Sequence, residues 1–562
     1  MPSNLKPQVS SFKPILAALV LIIYIGLHLW ALAETPLSDD ADFYLSASEK
    51  YKEWIKRIVA SELSIANGGE RDAYFKHNRE HPPLAKYLMA LSDYIFREKL
   101  NLFGQIDASR IGIVFASAFL ALLLFLWASE VYGKIAAISA PLILLFLPRF
   151  FFHSHLETLD VAIAAFYFFT VFSFWKAQKS NLWAFVTGFA FGLALLTKLN
   201  APFVLLPLSI YWLALNRRKI SLSKHLSLTL PPIPLSFLSM LFLGVPLFFL
   251  LWPWLWHSTF SRLYQYLEFH LNHYGILFYY LGKIYHKEFA PWHAPFVMAI
   301  VTTPLSIFLL FLAGAARQIL RILKPSLRLP KNEREEHSYE MLKSDFLILL
   351  NLFFTIAVVA FSGSPFYSGV KLFLPFFPFL ALSAAVALSS ICGGVVEILR
   401  IKRDCLRNSV TAFVVAVALA LPAYKTLSIH PYQLSYYSEL IGGLKGAVKY
   451  GFEIQYYDLF YKELVRFINR ELPSGATIFF APNNKEYVRQ APWYLKENFL
   501  RSDIRIVNRE ADADYFILTH EERWHSYRTL LKRWSGKKAI YELRVEDVAL
   551  LSVYKTRDDL TK

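Results

Sequence analysis

Three carboxylates, Asp39, Asp40 and Asp42, stand within Ser38-Asp39-Asp40-Ala41-Asp42-Phe43-Tyr44, just past an apolar N-terminal run. A carboxylate at the lip of a bilayer can take a proton from a hydroxyl. An Asp-x-Asp pair such as Asp40 and Asp42 can instead hold a divalent metal against a phosphate. Acidic residues also favour helix N-termini for dipole reasons alone, so spacing leaves capping and chemistry both open.

Other ionisable residues sit at similar edges. In His81-Pro82-Pro83-Leu84-Ala85-Lys86 two prolines fix an extended turn and present His81 and Lys86 rigidly. Arg149, His153, His155, Glu157 and Asp160 crowd one helix end. The histidines with Asp160 suit metal, phosphate or a hydrogen-bond cluster, and Arg149 is read as snorkelling to the interface. Lys198 and Lys371 lie in turns between apolar spans, where a lysine serves as an interface anchor or as a point charge for an anionic headgroup. Trp252-Pro253-Trp254-Leu255-Trp256 and Pro291-Trp292-His293-Ala294-Pro295 read as aromatic belts, or as platforms for a sugar ring.

The elements that hold these residues are membrane helices. The 562 residues are 55% hydrophobic and 17% aromatic, with a mean hydropathy of +0.36, which points to a polytopic membrane protein. Spans of roughly 20 apolar residues fall near 14–33, 111–129, 134–151, 160–176, 182–197, 200–215, 232–252, 295–314, 345–362, 372–392 and 409–426, about eleven helices in a mainly α fold. The first also resembles a signal peptide ending in Ala31-Leu32-Ala33, but it is longer than the usual apolar core of about 7 to 15 residues, and retention is expected. Net charge is +16. The basic residues fall on alternate loops, as membrane orientation requires, so the charge gives no reason to expect nucleic acid. With the N-terminus inside, the loop 34–110, the segment 253–294 and everything after about 427 lie outside, together with every polar motif above. Two cysteines, Cys392 and Cys405, provide no disulfide framework.

Two regions follow: a transmembrane domain, 1–430, with its catalytic loop at 34–110 and second outer segment at 253–294, and an extracytoplasmic domain, 431–562. The latter alternates helix-like runs (458–471, 485–499, 521–534) with strand-like runs (476–480, 503–507, 515–518, 548–554), the pattern of a small α/β unit. The charged stretch 331–337 reads as disordered.

Taken in order, these motifs resemble the protein O-mannosyltransferase and aminoarabinose transferase superfamily, GT-C membrane glycosyltransferases that use a polyprenyl-phosphate-linked sugar. Asp39-Asp40-Ala41-Asp42-Phe43 is similar to its Asp-Glu-x-x-aromatic motif, and His81-Pro82-Pro83-Leu84-Ala85-Lys86 to its His-Pro-Pro-Leu-Gly-Lys. Pro148-Arg149 through Asp160, Thr197-Lys198, Pro291-Trp292-His293, Gly369-Val370-Lys371-Leu372-Phe373-Leu374-Pro375 and His430-Pro431-Tyr432 through Gly442-Gly443 resemble further segments. The chain departs from the pattern at Asp40, Ala85, Ser368, Lys371 and Tyr457. Lys371 replaces a common arginine and so offers a point charge in place of a bidentate fork.

The resemblance implies Asp39 as catalytic base with Asp40 as its acidic neighbour. It implies Lys86, Lys198, Lys371 and His81 at the donor phosphate, and Asp42, His153, His155, Asp160, Trp292 and His293 in acceptor, sugar or structural roles. A divalent metal on Asp40 and Asp42 is possible, and no other cofactor is required. The implied partners are a polyprenyl-phosphate sugar, a protein, lipid or glycan acceptor, and the bilayer. The implied reaction is inverting transfer to a hydroxyl on the outer face of the cell membrane. The alternative is a transporter or flippase of polyprenyl-linked lipids. That reading expects ionisable residues at the midplane and symmetric broken helices, whereas the motifs gather on one face and no internal repeat is visible.

Overall fold

The structure is a computed structural model that describes residues 13–62, 68–217, 221–222, 228–272, 275–286, 289–324, 333–361, 364–367 and 369–556. By length and apolar composition, seven described helices can cross a membrane: Lys13–Leu32, Gln105–Val131, Asp160–Ala177, Leu305–Leu323, Glu335–Ala360, Phe376–Ile398 and Asp404–Ser428. Four shorter apolar helices, Lys134–Leu145, Asn181–Leu195, Ala201–Leu215 and Leu235–Leu250, pack among them. Helices come close where small residues remove side-chain bulk: a Cβ on Gly188 would lie 2.4 Å from the Ser239 carbonyl oxygen.

The expected single span 295–314 is two helices, Ala294–Val301 and Leu305–Leu323. Pro304 disfavours the helical backbone at the residue before it and has no N–H to give. The stretch read as disordered is helical from Glu333 onward, as the start of Glu333–Ala360, while residues 331 and 332 lie outside the described residues, as does Ser368.

The outer loop 34–110 is built of its own helices. Ala41–Val59 buries Tyr44, Ala47, Ser48, Tyr51 and Trp54, an apolar stripe at helical spacing. Leu84–Asp93 follows the Pro82-Pro83 turn. The outer segment 253–294 holds the helix Thr259–Leu271 and an antiparallel hairpin, Leu277–Tyr280 with Lys283–His286.

The C-terminal part carries a five-stranded sheet, β1 (Thr477–Ala481), β2 (Arg505–Ile506), β3 (Tyr515–Thr519), β4 (Tyr541–Val545) and β5 (Val548–Lys555), in the order β2-β1-β3-β5-β4. β1 pairs in parallel with β2 and β3, with the helix Asn484–Lys496 between β1 and β2, and β5 is antiparallel to both β3 and β4. One continuous core runs from the helix bundle through Leu434, Tyr457 and Phe460 into Ile478 and Tyr515 of the sheet.

Candidate active site

The acidic loop is clamped from two sides. Ser38 donates to Glu157 through its backbone N–H, at 3.3 Å, and through its hydroxyl, at 3.1 Å. Glu157 is itself paired with the buried Arg110, whose guanidinium also donates to the carbonyls of Thr35 at 3.0 Å and Pro36 at 2.6 Å. From the other side, Phe460 N–H donates to the Leu37 carbonyl at 2.9 Å in an antiparallel bridge. Leu37 N–H donates to the Tyr494 hydroxyl at 3.1 Å, and that hydroxyl donates to the Phe460 carbonyl at 2.8 Å. Backbone groups satisfied this fully fix the chain direction into Asp39.

The three carboxylates then diverge. Asp40 occupies the N-cap of Ala41–Val59 but makes no capping bond; it accepts a hydrogen bond from Lys371 Nζ at 2.6 Å. Asp42 accepts from Trp493 Nε1 at 2.9 Å and Ser46 Oγ at 3.1 Å. Asp39 has a buried Oδ1 with no partner. Burial, then the charges of Asp40 and Asp458, push its carboxyl well above the usual carboxylate range, against the pull of Arg523 and Lys371. Asp40 thus makes no side-chain capping bond, while Asp42 lies in the first turn of the helix, where the dipole favours a carboxylate. Asp40 and Asp42, the pair considered for a divalent metal, serve different partners here. Among the described residues no group of three or more His, Cys, Asp and Glu gathers to hold a metal ion.

The cations converge on the same helix ends. Lys198 Nζ donates to Asp160 Oδ1 at 2.6 Å, and Lys371 Nζ lies 4.9 Å from the centre of the Tyr457 ring. Lys371 feels Asp40, Asp160 and Asp39 strongly enough to stay protonated despite burial. His153 Nε2 shares a hydrogen bond with the Tyr456 hydroxyl at 2.7 Å, and burial holds the ring neutral, pulled down to about 3.

Arg149, expected to snorkel, is 2% exposed. Its guanidinium stacks 4.5 Å from the Tyr437 ring centre and 5.4 Å from that of Tyr456. Nε donates to the Tyr436 carbonyl at 3.2 Å, while both terminal nitrogens are buried without a partner. The Gly369 turn reaches this group because glycine leaves room: a Cβ there, where φ is +58°, would sit 2.3 Å from the Tyr456 ring and 2.9 Å from Arg149 Nη1.

The remaining predicted residues lie around this centre. Lys86 is fully buried, and its three donors go to the Asn78 carbonyl (2.9 Å), Asn78 Oδ1 (2.9 Å) and the His81 carbonyl (2.7 Å). It thereby ties the turn that presents His81. The His81 ring is 6.0 Å from that of Tyr44, with a buried, unpartnered Nδ1, and burial keeps it neutral. His155 faces His28 at 3.3 Å between Nδ1 atoms. His293 Nδ1 pairs with the Tyr280 hydroxyl at 2.9 Å, and Trp292 is 68% exposed. Sequence reasoning passed over Asp458 and Arg523 and gave Arg149 only a snorkelling role. The signal for Arg149 was present, since an arginine inside Leu147-Pro148-Arg149-Phe150-Phe151-Phe152 has few polar neighbours to leave for.

Residues 80–266, about a third of the chain, match the family model for dolichyl-phosphate-mannose-protein mannosyltransferases. No curated protein sequence matches the chain. Among solved structures the fold is similar to that of ArnT from Cupriavidus metallidurans in the apo state, at a TM-score of 0.51 and 13% identity over 96% of this chain and 98% of that one. The same protein bound to undecaprenyl phosphate aligns at 0.49 and 13% over 97% and 98%. The archaeal oligosaccharyltransferase AglB from Archaeoglobus fulgidus, solved with an inhibitory peptide and a dolichol-phosphate, aligns at 0.46 and 12% over 94% and 72%. At such identity the apo ArnT likeness speaks to the fold alone, which is of the GT-C type.

Proposed function

We propose, taking the chain as the membrane glycosyltransferase of GT-C type that its family model and its architecture indicate, that Asp39 is the general base of an inverting sugar transfer from a polyprenyl phosphate to a hydroxyl acceptor. The enzyme is an integral membrane protein with a lipid-linked donor. The acceptor oxygen attacks the sugar C1 from the face opposite the phosphate, the C1–O bond to phosphate breaks, and the hydroxyl proton passes to Asp39. One base suffices, because a phosphate leaves readily once its developing charge is met.

The observation that carries this reading is the state of the cations Arg149, Lys371 and Lys198. Arg149 has two buried nitrogens without a partner, and Lys371 and Lys198 rest on carboxylates. A buried guanidinium with unmade bonds is costly, and a phosphate oxygen supplies what it lacks. Lys371 exchanges Asp40 for the same phosphate, and Lys198 stands behind it on Asp160. His81 and His153, both neutral, order the site and do not add charge. Residues 1–430 supply the donor side, and residues 431–562 cover it from outside the cell membrane. The alternating basic loops support that orientation.

Asp39→Asn is expected to abolish transfer of a radiolabelled sugar from a polyprenyl phosphate while binding of the lipid phosphate persists. Transfer at the wild-type rate would remove Asp39 from the role.

A further inference from the structure

A cleft of about 1110 Å³ runs along the side of the bundle, bordered by the helices Lys13–Leu32, Lys134–Leu145 and Asp404–Ser428. It is separate from the candidate site. The helix Gln105–Val131 carries Arg110 near its start, beside the acidic loop, and leads away to Val131. Lys134–Leu145 then returns toward Arg149. Thr426, near the end of Asp404–Ser428, donates to the Phe146 carbonyl at 3.3 Å. Both helices therefore begin away from Asp39, and the first residues of both line the cleft.

The lining changes character along the cleft. Ile138, Leu142, Phe146, Val415 and Leu419 make it apolar for most of its length. Where the two helices begin, it is lined by Lys134, Asp404, Arg407 and Asn408, all exposed. Two bases against one acid leave that end positive. The helix N-termini add partial positive charge, since neither N-cap, Gly133 or Arg403, makes a side-chain capping bond. Ser139 also lines the cleft and is fully buried, and its hydroxyl has no partner among the described residues. Helical hydroxyls commonly bond the carbonyl four residues back, as Thr170 and Thr187 do at 2.8 and 2.7 Å. Ser139 does not, and an unmade bond is costly in apolar surroundings. Five residues beyond Lys134, it lies about 7–8 Å further along the helix axis, at ~1.5 Å per residue.

We propose that the cleft binds an anionic glycerophospholipid. Its phosphate meets Lys134 and Arg407, an ester carbonyl accepts from Ser139 Oγ, and an acyl chain lies against Leu142 and Leu419. Cation, hydroxyl and apolar wall follow one another in the order of phosphate, ester and chain, and a neutral headgroup leaves the positive end without its complement. The volume is at the top of the roughly 300–1,000 Å³ of small-molecule sites. The bound lipid ties Lys13–Leu32, the helix that leads into the acidic loop, to Asp404–Ser428. This does not rest on the role of Asp39.

The test is photolabelling of the full-length protein in phosphatidylcholine nanodiscs by a phosphatidylglycerol with a diazirine on one acyl chain, the labelled residues being mapped by mass spectrometry. Label is expected within residues 134–146 and 404–423, equally in wild type and D39N, and displaced by unlabelled phosphatidylglycerol. The double variant K134Q/R407Q should lower it about tenfold or more, the scale of two basic residues at an anionic surface. S139A should lower it a few-fold, as for one hydrogen bond. Lys134 and Arg407 are exposed, so the double variant should melt as wild type does. Unchanged label in a folded K134Q/R407Q, or equal label from a photoreactive phosphatidylcholine, would overturn the proposal. Displacement by polyprenyl phosphate alone would overturn it as well and give the cleft to the donor's tail.

Discussion

Two sealed basic side chains of the candidate site, Lys86 and Arg149, are in opposite states. Lys86 is fully buried with each of its three donors taken by an oxygen of the Asn78 to His81 turn. Arg149 is 2% exposed, yet its two terminal nitrogens make no geometric hydrogen bond and face the Tyr437 and Tyr456 rings. A buried charge whose bonds are complete holds the fold, and one whose bonds are incomplete is prepared for something absent from the protein itself. By residue type and by position at a helix end the two look alike. Hydrogen-bond accounting separates them, and it shifts the expected work at the donor phosphate toward Arg149 and away from Lys86.

The sharpest way to break that contrast is Arg149→Gln. Loss of a preorganised charge at a leaving group is expected to cost about 10²–10³-fold in kcat, with the melting temperature close to wild type, as followed by radiolabel transfer and thermal unfolding on the same sample. A fall in stability without a fall in turnover would return Arg149 to a structural role. Lys371→Met should lie between the two cases. Its ammonium already has Asp40, so transfer is expected to drop about tenfold or somewhat more, as for loss of one ~1.5–3 kcal/mol charged hydrogen bond, with donor KM rising in steady-state kinetics. Lys86→Met should show the reverse pattern, with stability lower by about 1–3 kcal/mol because three acceptors lose their donor and turnover per folded molecule within a few-fold of wild type. Denaturant unfolding alongside active-site titration checks it.

The membrane character of the chain was readable because lipid demands long apolar runs, and the placement of Lys198 and Lys371 followed from the turns between them. The acidic loop stood out for a related reason: carboxylates directly after the apolar run ending near Leu32 have no role in spanning. The missed features depend on partners distant in sequence. Trp493, which binds Asp42, is 451 residues away, and no local pattern in Asn483-Asn484-Lys485 or Glu521-Glu522-Arg523 announces contact with Asp458. The strand Tyr541–Val545 was hidden by Glu542 and Arg544 on its exposed face. Arg149 was misjudged because snorkelling assumes a free path to water, and the Tyr437 and Tyr456 rings close that path.

The bridge at Leu37 also bears on how the molecule is made. Leu37 N–H waits for a hydroxyl that enters the chain 457 residues later, at Tyr494, so the loop is among the first parts synthesised and among the last to be seated. Contacts of such sequence separation form late in folding. A ribosome still translating the C-terminal strands therefore presents the membrane with a bundle whose acidic loop is not yet seated.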